Sequence, residues 1–296
     1  MEKPVGVLFG IAAFVAWGFL PAYWKQMLVV SPVEILCHRI VWSCVFLSGI
    51  ITLQRRWPEV RGIIKNPLVV KRLCLSTMLI GFNWFVYIWA VNSARVVETS
   101  LGYYMTPMIN VVLGFLFLGE KFNRLQGVAI LFALTGVMYS LIAYGSLPAF
   151  ALALSLSFAL YGFARKKISA APLPGLLVET MILFIPAFAY IVFKVSCNDS
   201  YFLKQSGLTF WMLGSGLATS LPLLWFAAAA KRLNLSTIGI LQYLAPSIAF
   251  GLGVFVYKEP FNFHTLITFA CIWTGVVFYT RGAYTKMSVI GRTKVM

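Results

Sequence analysis

The sequence predicts an all-α, polytopic membrane protein of ten transmembrane helices, arranged as two inverted five-helix repeats. Three observations predict it. First, the 296 residues are 60% hydrophobic and 11% charged, with a mean hydropathy of +0.87, whereas an ordinary soluble domain carries about 25% charged residues. Second, apolar runs of about 18 to 24 residues recur, each long enough to cross a hydrocarbon core of roughly 30 Å. Third, the second half repeats the first. Tyr104 and Tyr243, Pro107 and Pro246, Gly114 and Gly253, Glu120 and Glu259, Asn123 and Asn262, and Gly136 and Gly275 all stand 139 positions apart in one ungapped register.

The runs fall at 5–24, 32–53, 71–93, 98–118 and 125–143 in the first half, and at 147–164, 175–193, 208–230, 237–257 and 263–281 in the second. Backbone groups in lipid must bond internally, so the runs are expected to be helices. The first carries Gly6-x-x-x-Gly10, a small-residue packing motif. It is expected to be a retained helix, because its apolar stretch is too long for a typical signal peptide and no Ala-x-Ala site follows. The second opens Pro32-Val-Glu34-Ile-Leu-Cys-His38-Arg39. The third holds Asn83 and Trp84 near its middle. The fourth and ninth place Pro107 and Pro246 near theirs. The fourth ends in Gly119-Glu120-Lys121-Phe122-Asn123, where a carboxylate can bond the free amides of the next helix and complement its dipole. Tyr144-Gly-Ser-Leu-Pro148 has turn chemistry and no charge, and it divides a first repeat, 1–144, from a second, 145–296. The seventh run contains Glu179. Five spans per half turn the second half over relative to the first.

The formal charge of +16 raises the question of nucleic acid, and its placement answers it. With the N-terminus inside, 18 Lys and Arg fall in the inner segments and inner span ends and five in the outer segments, while Arg39 alone stands in the interior of a span. That is the positive-inside bias, and it puts both termini in the cytoplasm. A nucleic-acid surface would gather its basic residues on one face. The five cysteines form no Cys-x-x-Cys pair, so no metal site or disulfide framework is indicated, and no cofactor motif is present. Without a Gly-x-x-x-x-Gly-Lys-Ser/Thr motif, ATP is not the direct energy source.

Pro107 and Pro246 each remove a backbone donor and free a carbonyl that needs a partner or a wet cavity. They read either as paired kinks at a shared site or as packing kinks. Asn83, Asn110 and Gln242 lie deep in the spans, where amides either glue helices or line a cavity. Trp17, Trp84, Tyr103, Tyr161 and Tyr243 surround them, and such a set suits an amphipathic or aromatic solute. Phosphate would want convergent Arg and Lys. Trp24, Trp57 and Trp211 fall at interfaces and read as belt residues. Glu34, His38, Arg39, Glu98 and Glu179 are either proton carriers or structural ion pairs.

Several stretches resemble EamA-type transporters of the drug/metabolite transporter superfamily. They are Glu34 through Ser43, Gly81-Phe-Asn83-Trp84, Ile88 through Asn92, Glu98 through Tyr103, the Leu-Gly-Glu120 junction, Tyr161-Gly162 through Lys167, Glu179-Thr-Met181 and Gln242-Tyr243, and together they cover essentially the full length. The resemblance implies ten helices, two repeats, a bacterial inner-membrane location, and a central cavity built mainly by spans 1, 3, 4, 6, 8 and 9. That set leaves His38 and Arg39 outside. The expected activity is secondary transport, with export of small organic metabolites by alternating access. The expected partners are a small-molecule solute and the lipid bilayer. A channel or receptor is the first alternative and an intramembrane enzyme the second. The latter lacks His-Glu-x-x-His and has His38 and His264 as its two histidines.

Overall fold

The computed structural model describes residues 2–92, 96–120, 123–144, 149–256 and 263–293. Among the described residues the chain is helical and without strands. The helices are α1 Glu2–Trp24, α2 Pro32–Leu53, α3 Trp57–Ile64, α4 Pro67–Asn92, α5 Val96–Leu118, α6 Arg124–Tyr144, α7 Ala149–Lys167, α8 Pro172–Ser196, α9 Ser206–Arg232, α10 Leu235–Gln242, α11 Leu244–Gly251 and α12 Phe263–Thr293. Six stretches are long and apolar enough to cross a membrane: Pro4–Met27, Pro32–Leu53, Pro67–Tyr87, Arg124–Ala143, Pro172–Ser196 and Ser206–Arg232. Shorter apolar stretches follow at Gly102–Leu118, Leu235–Gly251 and Leu266–Tyr279.

Twelve α-helices replace the expected ten among the described residues, for two reasons. The first is α3, which lies in a stretch expected to be loop. Pro58 sits in its first turn, Arg56 grips Glu59 through two bonds of 2.6 and 2.8 Å, and Val60 and Ile63 are buried beneath it. The second is the divided ninth run. Pro246 has no N–H to offer the carbonyl of Gln242, four residues back. The helix ends at Gln242, Tyr243 turns back to the Ile240 carbonyl at 3.2 Å, and α11 begins anew and passes into a π-helical turn, Leu252–Val256. Pro107, by contrast, lies inside an unbroken α5.

The surface is apolar and the interior is partly polar, the reverse of a water-soluble protein. Leu8, Phe19, Leu53, Ile142, Ile185 and Phe210 are each more than half exposed, whereas Ser76, Thr77, Ser155 and Ser220 are fully buried. Lipid contributes no hydrophobic force between helices, so small residues bring the backbones together. A Cβ at Gly216 of α9 would lie 2.3 Å from the Trp42 carbonyl carbon of α2. A Cβ at Gly102 of α5 would lie 2.9 Å from the Ala151 carbonyl oxygen of α7. Gly6 and Gly10 of α1 face Arg232 at the end of α9 and Leu241 of α10.

The pair α6 and α12 has a reciprocal pattern. A Cβ at Gly136 would lie 3.1 Å from the Thr268 carbonyl oxygen, and a Cβ at Gly275 would lie 2.8 Å from the Ala129 carbonyl oxygen. As residue numbers rise along α6 they fall along α12, so the two helices run antiparallel. In the same way, Tyr243 of the second half donates its hydroxyl to the carbonyl of Tyr104, its counterpart in the first, at 3.2 Å. The expected division between residues 144 and 145 borders 145–148, and Glu259 lies in 257–262; both segments are outside the described residues.

Candidate functional site

The helix ends Trp24, Pro32 and Ser206 share one end of the bundle with the start of α7. In that half of the molecule lies a cavity of about 190 Å³. Phe14, Trp17, Leu20, Pro21 and Trp24 line it from α1, Arg39 from α2, Asn83, Trp84 and Tyr87 from α4, and Tyr103 from α5. Phe158 of α7, Thr219 and Leu223 of α9, Gln242 of α10, and Ala245, Pro246 and Ala249 of α11 complete the wall. Both halves of the chain therefore build it.

Five of the eight residues expected on the pathway line this cavity: Trp17, Asn83, Trp84, Tyr103 and Gln242. Asn83 donates its amide N–H groups to the Leu154 carbonyl and the Ser157 hydroxyl, both at 2.9 Å. That leaves its Oδ1 as an acceptor of fixed direction. Asn110, Tyr161 and Tyr243 stand elsewhere. Asn110 is buried behind the wall and donates to Gln242 Oε1 at 3.1 Å, so it positions that amide. Tyr161 is fully buried, its ring stacked on Phe226 with centroids 6.0 Å apart. Tyr243 points away toward Tyr104. Of the two prolines, Pro246 reaches the wall, while the carbonyl of Pro107 packs where a Cβ at Gly239 of α10 would be 2.9 Å away.

Below the cavity the interior is closed by rings. Trp17 packs on Phe158 at 5.7 Å and on Phe226 at 5.6 Å, and Phe14 packs on Phe226 at 6.1 Å. Polar ties follow on the far side of this plug. Lys166 donates to the Leu233 carbonyl and Lys231 to the Ile168 carbonyl. Glu120 takes the Leu235 and Ser236 backbone N–H groups at 2.6 and 3.1 Å and the Ser236 hydroxyl at 2.5 Å. It thus caps α10, in the other half of the chain, rather than the helix that follows it. Two glycines allow this. Gly119 turns the chain with φ +63°, and a Cβ at Gly114 would sit 2.7 Å from the carboxylate.

The ionisable residues expected as pairs separate into three environments. Glu34 accepts from the Ser200 hydroxyl. His38 accepts from Trp42 Nε1 at 3.1 Å and rests on Phe202, with ring centroids 4.7 Å apart. Glu179 meets Arg165 at 3.5 Å, with both side chains buried, and also accepts from Ser76. Glu98 stands in the first turn of α5, and its side chain lies outside the described residues. Arg39 pairs with neither Glu34 nor Glu179. Its long side chain reaches from α2 between α1 and α4, so α2 contributes to the cavity after all. Trp24, expected as a belt residue, stacks on that guanidinium with its ring centroid 4.8 Å away. Sequence reasoning missed this arrangement, although one signal was present: Arg39 is the single Lys or Arg in the interior of an expected span, away from its first two and last two residues.

Among the described residues no group of three metal-ligating side chains occurs. The EamA-like transporter family matches residues 4–142 and again residues 147–281. A protein named RarD from Salmonella typhi is 41% identical over 95% of this chain and 96% of its own length. An uncharacterized transporter, YojE, from Bacillus subtilis is 43% identical over 94% of both chains. A chloramphenicol-sensitive protein RarD from Pseudomonas aeruginosa is 26% identical over 92% of both. One crystal structure superposes with a TM-score of 0.70 at 18% identity, covering 94% of this chain and 98% of the other, a likeness of fold.

Proposed function

The chain belongs to the EamA-like transporter family, and from that premise we propose that it is a secondary transporter that exports small organic metabolites by alternating access. The observation that carries this reading is the cavity, walled by both halves and plugged toward one end by Trp17, Phe158 and Phe226. A site between two similar halves can face one side and then the other when the halves exchange conformations. The aromatic plug and the Lys166, Lys231 and Glu120 ties are the contacts that such an exchange would break.

Ten spans in two inverted repeats, 1–144 and 145–296, fit this reading. The reciprocal contacts of Gly136 and Gly275 support it, because a two-fold axis makes residue i meet j and j meet i. Since α6 and α12 run antiparallel, such an axis lies across the helices, in the plane of the membrane. The positive-inside bias supports a topology with both termini in the cytoplasm, and the bacterial relatives are in keeping with a location in the bacterial inner, or plasma, membrane.

The test is counterflow. Purified protein in proteoliposomes is preloaded with an unlabelled solute and given the labelled solute outside, across a panel of aromatic amino acids, aromatic carboxylates and chloramphenicol. The proposal expects saturable counterflow for at least one. Non-saturating flux with single-channel currents in planar bilayers would indicate a channel and overturn it. Within this assay, Gln242→Leu is expected to lower flux about 10-fold or more at unchanged membrane yield. It removes a cavity amide and strands the Asn110 amide that donates to it.

A further inference from the structure

We propose that Arg39 makes the cavity an anion site, and that its ligand is a small organic monoanion, a carboxylate on a flat apolar body. The proposal rests on the transporter reading only for calling that ligand the cargo. Among the described residues on the wall, Arg39 is the one with a formal charge. Its partners among the described residues are neutral. Nε donates to Thr219 Oγ1 at 3.0 Å, and the guanidinium carbon lies 4.8 Å from the Trp24 ring and 4.9 Å from the Trp84 ring. The nearby acids are engaged elsewhere: Glu34 with Ser200, and Glu179 with Arg165 and Ser76.

An ionisable group at this depth is costly and calls for a partner of opposite charge. Aromatic faces and a hydroxyl stabilise a cation partly, without neutralising it. The stacking also has a geometric consequence. Two indoles hold the guanidinium in place and Thr219 takes its Nε–H, so the N–H groups of Nη1 and Nη2 remain, in the fork that matches a carboxylate with two parallel bonds.

The remaining wall sets the rest of the ligand. A single cation matches a single negative charge, whereas a phosphate dianion would call for convergent basic residues. Trp17, Trp84, Tyr103 and Phe158 offer apolar faces within about 190 Å³, which suits a one- or two-ring body. Among the described residues no carboxylate faces the cavity to receive an ammonium group, and Asn83 Oδ1 is a neutral acceptor. The site therefore favours an acid over an amine of the same shape.

Three ligands with one indole ring separate charge from shape: indole-3-acetate, indole-3-acetamide and tryptamine. Thermal stabilisation of the purified, detergent-solubilised full chain reads their binding by mass action. The acetate is expected to stabilise the protein at about 10- to 100-fold lower concentration than the acetamide, the range for a charge-assisted hydrogen-bond pair, and tryptamine is expected not to stabilise it. Arg39→Gln should abolish the preference for the acid, and Arg39→Lys should keep part of it. Equal potency of acid and amide, no stabilisation by the acid, or an Arg39→Gln protein that binds the acid like wild type would each overturn the proposal. The wild-type comparison decides even if the variant fails to fold. Counterflow is scored separately. Acid binding without counterflow of any solute keeps the anion site and refutes the transporter reading. Counterflow without preference for the acid does the opposite.

Discussion

Gly216→Leu is expected to abolish accumulation of folded protein. The Cβ alone would lie 2.3 Å from the Trp42 carbonyl carbon, 2.6 Å from its oxygen and 2.7 Å from the Ser43 nitrogen. All three are backbone atoms and cannot swing aside as a side chain would. Overpacking among yielding side chains costs about 1–3 kcal/mol. Here α2 and α9 must part, which also strains the bond from the Ser43 hydroxyl to the Gly216 carbonyl at 3.2 Å. A cost above about 3 kcal/mol is a large share of a total stability of about 5–15 kcal/mol. Fluorescence-detected size-exclusion chromatography of a fusion should show the monodisperse peak lost. Gly49→Leu is the control, because no atom beyond its own stretch of helix lies within 4 Å of a Cβ there. A normal peak for Gly216→Leu would show that the helices are not in backbone contact.

Glu179→Leu is expected to be nearly as damaging, for an electrostatic reason. Arg165 is 1% exposed, and its partners are the Glu179 carboxylate at 3.5 Å and the Pro172 carbonyl at 3.4 Å. Removing the carboxylate leaves a buried cation with one weak acceptor, a loss of about 3–5 kcal/mol. Ser76 suffers less, because its single O–H can turn to the Leu73 carbonyl, 3.0 Å away. The double change Arg165→Leu/Glu179→Leu removes both charges and should recover most of the lost melting temperature. The double variant also separates the two roles open to Glu179. Recovered stability with normal counterflow leaves a structural pair, whereas recovered stability with no counterflow assigns the pair to transport. If single and double variants melt alike, the ion pair is not the source of the loss.

The sequence pattern made the helices legible because lipid permits few alternatives to an apolar helix. It also made the duplication legible, since the 139-residue register survives in Pro107 and Pro246, Gly136 and Gly275, and Tyr104 and Tyr243. It did not say which side of each helix faces the cavity. Helices apolar on all sides carry no stripe to orient them, so Tyr161 and Tyr243, expected on the pathway, are packed in neighbouring layers instead. The small helix α3 escaped notice because its stretch, between Leu53 and Pro67, is charged and short. Arg39 was the reverse case. Its charge was conspicuous, but its span lay outside the expected cavity set, and only the reach of its side chain brings it to the wall.

The exchange of the two halves is tested most directly by tying them together at the plugged end. A Cβ at Gly6 of α1 would lie 2.9 Å from the Cβ of Arg232 in α9, so cysteines at both positions are within reach of a disulfide after a small adjustment. In a background with Cys37, Cys44, Cys74, Cys197 and Cys271 replaced, Gly6→Cys/Arg232→Cys is oxidised in proteoliposomes and counterflow is measured before and after reduction. Alternating access predicts that the linked protein stops transporting and that reduction restores the flux. Undiminished flux from fully linked protein would contradict it.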